Sequence, residues 1–207
     1  MSKNREDSYI FCDSLIRASE RSLLTKAKLL RAAEAENFNA SVAVLNEYNY
    51  GDGRTFENPR DFAGLLADEE RKAFDLVLSA LPDKTELEML RCPKDYHNAK
   101  AALKAEFLEI SPLKYMVGGG RFEPEAMEAM IRERDFMWFS TEMKEAVAEA
   151  SELFGKGRDP QEIDIILDKA CYREMLRTAE AVGDGFLIGY VRLLIDILNV
   201  VTFVRLR

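Results

Sequence analysis

Two acid–amide pairs are the polar residues of this sequence best placed to do chemistry. Asp95 and Asn98 stand one helical turn apart, as do Asp196 and Asn199, so within each pair both side chains share a helix face. A carboxylate buried on such a face costs several kcal/mol unless a cation and hydrogen bonds satisfy it. Arg91, Lys100, Arg192 and Arg205 are the cations expected to serve as partners. The ordinary use of such a pair is a structural polar network; contact with another protein is the alternative. A proton-carrying role fits poorly, because nothing in the sequence sets these residues in a membrane.

The remaining candidates for chemistry weaken on inspection. His97 is the sole histidine, which excludes a histidine-rich metal site and the paired Glu-x-x-His motifs of a di-metal bundle, and it reads as an imidazole with a hydrogen-bond partner. Gly118-Gly119-Gly120-Arg121 has neither the G-x-x-x-x-G-K-[ST] nor the G-x-G-x-x-G pattern of a phosphate-binding loop, and reads as a flexible connection between helices. Cys12, Cys92 and Cys171 are far apart and odd in number, so they suggest reduced, partly buried thiols rather than a zinc site or disulfides. No catalytic residue, metal site or cofactor site is expected.

The elements that would position these residues read as helices nearly throughout. From Ser8 to Glu36, apolar residues recur at three- and four-residue steps. Asn39 is expected to cap a short helix ending at Leu45, and Asn58-Pro59 to start another. Further helices fall around 60–80, 85–109, 123–136, 140–154, 160–181 and 184–206, with glycine loops at 118–120 and at Gly155-Lys156-Gly157. No alternating run is long enough for a strand. The fold class is therefore all-α. Cys92-Pro93 just before Asp95 implies a new helix or a kink there.

Composition narrows the partners. The chain has 207 residues, 29 Lys plus Arg against 37 Asp plus Glu, and a net charge of -8, which disfavours nucleic acid or anionic lipid as the main ligand. The charged N-terminus shows no signal peptide. Phe186 to Val204 is the most apolar stretch, and Arg192, Asp196 and Asn199 within it point to a buried helix rather than a membrane span. The acidic run Glu142, Glu145, Glu149 and Glu152 reads as a solvated helix face, or as a negative rim for a basic partner. Met127, Met130, Phe136, Met137, Trp138, Phe139 and Met143 read as core, or as a contact patch if exposed.

A shift of 101 residues lays the second half of the chain on the first without a gap. Asn58-Pro59-Arg60-Asp61 falls on Asp159-Pro160-Gln161-Glu162: in both, a capping residue, a proline at the first helical position and an acid in the first turn. Leu65-Leu66 falls on Ile166-Leu167, Arg91 on Arg192, Asp95 on Asp196, Asn98 on Asn199 and Lys104 on Arg205. Two tandem helical bundle units follow, residues 8–107 and 111–207, within a single all-helical region 1–207.

These same residues resemble a known family. The stretch from Asp159 to Lys169, then Phe186-Leu187, then Ile195-Asp196-Ile197-Leu198-Asn199 looks like two elements of the central-stalk adaptor family of V/A-type ATPases. They are the acidic-apolar helix and the Asp-x-x-Asn helix of what is called the C subunit in the archaeal type and the d subunit in V-ATPases. Asp95-Tyr96-His97-Asn98-Ala99-Lys100 resembles the latter element more closely still. Tyr9 to Leu24 is similar to the family's first long helix, and Met116 to Glu125 to its inter-helix turn. The likeness covers 9–50 and 87–207, and is weaker over 51–86.

The resemblance implies a funnel of similar helical units on the cytoplasmic face of a membrane rotor ring, its mouth receiving the tip of the central stalk. It implies a non-catalytic coupling subunit in ATP-linked ion or proton transport, peripheral to the membrane, with stalk and ring subunits as partners and no nucleic acid. Asp95, Asn98, Asp196, Asn199, Pro59, Pro160, Arg91 and Arg192 are then repeat-signature residues. Family members usually carry a third copy, so either an engineered fragment or a shortened gene product is expected here, and without a third unit weak binding to the partners and some self-association through exposed apolar helix faces. The alternatives are a generic helical scaffold with an internal duplication and unrelated partners, and a carboxylate enzyme in a helical bundle.

Overall fold

The computed structural model describes residues 3–154 and 159–205. The loop expected at Gly155-Lys156-Gly157 lies outside them. Among the described residues the chain is all-α, with nine α-helices, two 3-10 turns and no strand. The helices are α1 (Lys3–Glu20), α2 (Lys26–Ala33), α3 (Phe38–Asn46), α4 (Phe62–Ala80), α5 (Thr85–Leu108), α6 (Pro124–Glu133), α7 (Thr141–Phe154), α8 (Pro160–Val182) and α9 (Gly185–Arg205). They form two compact units, Met1–Asp83 and Lys84–Arg207.

In the first unit, α1 packs with α4 and α2 with α3. The apolar run expected from Ser8 to Glu36 is broken, because the Thr25 side chain accepts from the Lys28 N–H at 3.4 Å and opens a new helix. Leu23-Leu24 belongs to the link between α1 and α2, which hydrophobic spacing alone does not reveal. The cap of α3 is Asn37, whose side chain accepts from the Ala40 N–H at 2.9 Å. Asn39, expected as that cap, instead accepts from the Phe56 N–H at 3.3 Å and pins the following loop. Gly51 has φ +94° and sits against Asn46 and Leu65 while its N–H reaches Glu69, a left-handed position that glycine occupies without strain. Asn58 accepts from the Arg60 N–H at 3.0 Å and Pro59 opens a 3-10 turn leading into α4.

In the second unit, α8 lies against α5, α7 and α9. Its start has the geometry expected from sequence: Asp159 accepts from the Gln161 N–H at 2.9 Å, with Pro160 in the first turn. Lys100 bonds Asp168 at 2.8 Å and Lys104 bonds Asp164 at 2.7 Å. As the number rises on α5 it falls on α8, so the two helices run antiparallel. The core gathers one stripe of α5 (Met89, Cys92, Tyr96, Ala99, Leu103) with residues of α6, α7 and α8, including Met127, Val147 and Leu167. Of the Met-aromatic cluster, Met127, Phe139 and Met143 are buried, while Met137 and Trp138 are exposed. All three cysteines are buried and free.

One expectation is narrowed here and another fails. Asp95 does not begin a new helix, because α5 continues through Pro93; the missing N–H forfeits one bond, and packing along the α5 stripe supplies the rest. The apolar stretch Phe186 to Val204 is not a buried helix either. Only Val191 of α9 is buried, and its most apolar 18-residue window is 6% buried. By length and composition α9 is also sufficient to cross a membrane. Apolarity signals a need for cover without saying what supplies it.

Candidate functional site: a buried ion-pair cluster

The most buried polar residues of the chain meet where α5, α8 and the loop before α6 converge. On α5, Asp95 and Tyr96 lie one helical turn beyond the buried Cys92 and are themselves buried, with Asn98. Glu174 is buried on α8 between Cys171 and Met175. A single guanidinium joins the two carboxylates. Arg121 Nε donates to Asp95 Oδ2 at 2.6 Å, and Arg121 Nη1 donates to Glu174 Oε1 at 2.6 Å.

Each carboxylate is then satisfied by further donors. Asp95 Oδ1 accepts from the main-chain N–H of Arg121 at 2.8 Å and of Phe122 at 3.2 Å. Glu174 Oε2 accepts from the Tyr96 hydroxyl at 2.8 Å and the Ser140 hydroxyl at 2.5 Å. Ser140 Oγ also accepts from the Met143 N–H at 3.1 Å, which ties the start of α7 to the cluster. Paired and hydrogen-bonded in this way, buried charges escape most of their desolvation cost.

The glycine loop is held by side chains of α5. Asn98 donates to the Val117 carbonyl at 2.8 Å and accepts the Val117 N–H at 2.9 Å. Arg91 Nε donates to the Gly119 carbonyl at 3.1 Å, and its Nη2 donates to the Gly120 carbonyl. A Cβ at Gly120 would run into Asp95 Oδ1, so glycine is needed for close approach. This loop is an anchored strap, contrary to the flexible connection expected from three consecutive glycines. Glycine composition cannot show which side chains will grip a backbone.

The charges respond to this setting in opposite directions. Burial raises Asp95 above the ordinary carboxylate value, against the pull of Arg121 and the two main-chain N–H groups. Burial would also raise Glu174, but the charge of Arg121 and the bonds from Ser140, Arg121 and Tyr96 outweigh it and hold the carboxyl below its ordinary value. A bond with Cys171 and burial push the Cys92 thiol upward, so it stays protonated and unreactive. Burial and the Glu174 charge raise the Tyr96 hydroxyl.

The two acid–amide pairs therefore have different surroundings. Asp95 and Asn98 are buried in the network, whereas Asp196 and Asn199 on α9 are exposed and take no side-chain partner among the described residues. The partner of Asp95 is Arg121, which was not among the four cations expected from proximity along the chain. Arg91 grips carbonyls, Lys100 bonds Asp168, and Arg192 bonds Glu180 at 3.3 Å in an exposed pair. His97 is exposed, with Nε2 3.0 Å from the Tyr115 carbonyl. On the acidic run, Glu142 reaches across to Arg177 of α8.

Sequence reasoning overlooked Glu174 and Tyr96; it pointed to Ser140 as a helix cap, as its bond from the Met143 N–H shows, but not to the Ser140 bond with Glu174. The signal available was Glu174 lying among inward positions of α8, between Cys171 and Met175. Beside the cluster opens a cleft of about 370 Å³, bordered by Thr85, Glu88, Trp138 and Arg177. Among the described residues no group of three or more His, Cys, Asp or Glu could hold a metal ion.

Fold and site together define an all-α protein whose central polar cluster fastens two helices and a loop to one another. The profile of the ATP synthase (C/AC39) subunit family matches residues 13–207, and the chain belongs to that family. The C subunit of the V-type sodium ATPase of Enterococcus hirae is similar at 22% identity over 191 residues, which is 92% of this chain and 58% of that protein. The chain thus spans little more than half the length of this relative. No solved structure matches it.

Proposed function

We propose that this chain is a non-catalytic coupling subunit of a rotary V/A-type ATPase, joining the central stalk to the membrane rotor ring on the cytoplasmic face. The observation that carries the reading is the family match over nearly the whole chain. The Arg121 cluster supports it physically. A coupling piece must transmit force without yielding, and a half-buried guanidinium bonded at once to buried carboxylates of α5 and α8 and seated in its own loop resists their sliding. Its charged groups are spent on one another, and no step of a reaction is assigned to them.

The tandem organisation, units 8–107 and 111–207, is a repeat of sequence distinct from the compact units Met1–Asp83 and Lys84–Arg207, and belongs to the same proposal. It is supported by the pairs of caps and prolines, Asn58-Pro59 and Asp159-Pro160, each bonded in the same way to the second residue beyond the cap. Stacked about a shared axis, such units would make part of a funnel able to receive a shaft.

The test is a pull-down of the purified chain against the central-stalk and rotor-ring subunits of the ATPase from the same organism. Retention of both at physiological salt supports the proposal. Retention of neither, with both competent to bind each other's known neighbours, refutes it.

A further inference from the structure

The cleft beside the Arg121 cluster is walled by two helix faces and roofed by an aromatic ring. Glu88 and Cys92 of α5 border one side, and Glu174, Thr178 and Ala181 of α8 the other, each set at three- and four-residue steps. The link between α6 and α7 closes a third side with Trp138. Trp138 is the single tryptophan of the chain and is 70% exposed, yet the backbone just after it is pinned. Phe139 is buried with its ring stacked on Phe136 at 5.3 Å, and Ser140 donates to Glu174 at 2.5 Å while accepting from the Met143 N–H at 3.1 Å. The indole is thus held out at the mouth of the cleft rather than folded into the core. Its neighbour Met137, also exposed, extends the apolar rim.

Charge at the mouth has one sign. Both guanidiniums that border the cleft are already engaged, Arg121 by Asp95 and Glu174 and Arg177 by Glu142. Glu88 is exposed and takes no ion pair among the described residues. The uncompensated charge is therefore negative, and it stands beside an aromatic face. Carboxylates at floor and mouth, Glu174 and Glu88, turn anions away.

We propose that this cleft receives an arginine side chain of a partner protein, its guanidinium stacked on Trp138 and paired with Glu88. The methylene stem then lies along Met89 and Ala181, and the volume of about 370 Å³ accommodates one such side chain. A guanidinium suits the site better than an ammonium, because it is flat enough to stack on indole while its edge forks onto a carboxylate. The rim argues for a protein rather than a free cation. Met137 and Trp138 stand side by side outside the cleft and offer apolar contact that a small ion could not use. This contact goes beyond the coupling role proposed above and does not rest on it.

Fluorescence of the purified full chain tests this, since its only indole emits from the cleft itself. N-acetyl tetra-arginine amide should quench and shift that emission saturably below about 1 mM. The matching tetralysine peptide should bind at least about threefold more weakly. With a fluorescein-labelled arginine peptide read by anisotropy, Trp138→Ala and Glu88→Lys should each weaken binding about tenfold. Both positions are exposed, so the circular dichroism spectrum should not change. Glu149→Lys makes the same charge change at an exposed position of α7 outside the cleft, and should leave the affinity within about twofold. No saturable response in that range, equal affinity for the two peptides, or binding indifferent to Trp138→Ala would each overturn the proposal. So would equal losses in Glu88→Lys and Glu149→Lys, which would mean that the acidic surface at large holds the peptide.

Discussion

Arg121 Nη1 stands 2.6 Å from Glu174 Oε1 while Nε of the same guanidinium stands 2.6 Å from Asp95 Oδ2, so one side chain of a loop ties together two antiparallel helices. Removing it strands two carboxylates in the core. Arg121→Met is therefore expected to destabilise the Lys84–Arg207 unit by about 3–5 kcal/mol, the usual cost of an orphaned buried charge. Urea unfolding of the full chain measures it; a loss below about 1 kcal/mol would show that the pairs contribute only as exposed ones do.

The loop's glycines make a sharper comparison. Gly120 lies against Asp95, whereas a Cβ at Gly118 meets nothing within 4 Å. Gly120→Ala should cost about 1–3 kcal/mol, as overpacking does, and should displace the strap from α5. Gly118→Ala should be close to neutral. Equal thermal midpoints for the two variants would contradict the anchored-loop description.

Acidification should reveal the two carboxylates with opposite signs. Glu174 in the folded chain lies below its ordinary 4.5, so its contribution is complete above that value and is lost as the pH falls beneath it. Asp95 lies above its ordinary 3.8; its contribution is complete below that value and is lost as the pH rises through the folded value. Urea midpoints between about pH 3 and pH 7 should therefore fall less steeply on the acid side in Glu174→Gln than in the unaltered chain, and more steeply in Asp95→Asn. The same slope in all three chains would contradict this assignment.

The caps offer a test in each unit. Asn58→Ala and Asp159→Ala each remove one side-chain acceptor at a helix start and should cost about 1 kcal/mol apiece. Hydrogen exchange should show the loss of protection within Met1–Asp83 for the first and within Lys84–Arg207 for the second. Loss of protection across the whole chain from either variant would contradict the division into two compact units.

Much of the scaffold was legible because local chemistry determines it. Helical periodicity and the Asn58 and Asp159 caps follow from neighbouring residues, whereas the burial of Asp95 with Asn98 does not: the more apolar surroundings of Asp196 and Asn199 pointed to that pair, which is exposed. The cap at Thr25 and the choice of Asn37 over Asn39 were not legible either, since a run of Asn-Phe-Asn offers two acceptors and only the path of the next loop decides between them. Arg121 was misjudged for a similar reason. It lies 26 residues from Asp95, and proximity along the chain favoured Arg91, which found carbonyls instead. The exposure of α9 was illegible for a different cause: an apolar seam looks the same whether its cover lies in the same chain or elsewhere.

The central claim is that this chain transmits motion and performs no reaction itself. Ion uptake and ATP hydrolysis, measured together in vesicles holding the rest of the rotary ATPase with and without the chain, test it most directly. Without the chain, hydrolysis should persist while uptake collapses, and adding the chain should restore the coupling between them. Equal uptake in its presence and absence, or ATP hydrolysis by the purified chain alone, would contradict the account.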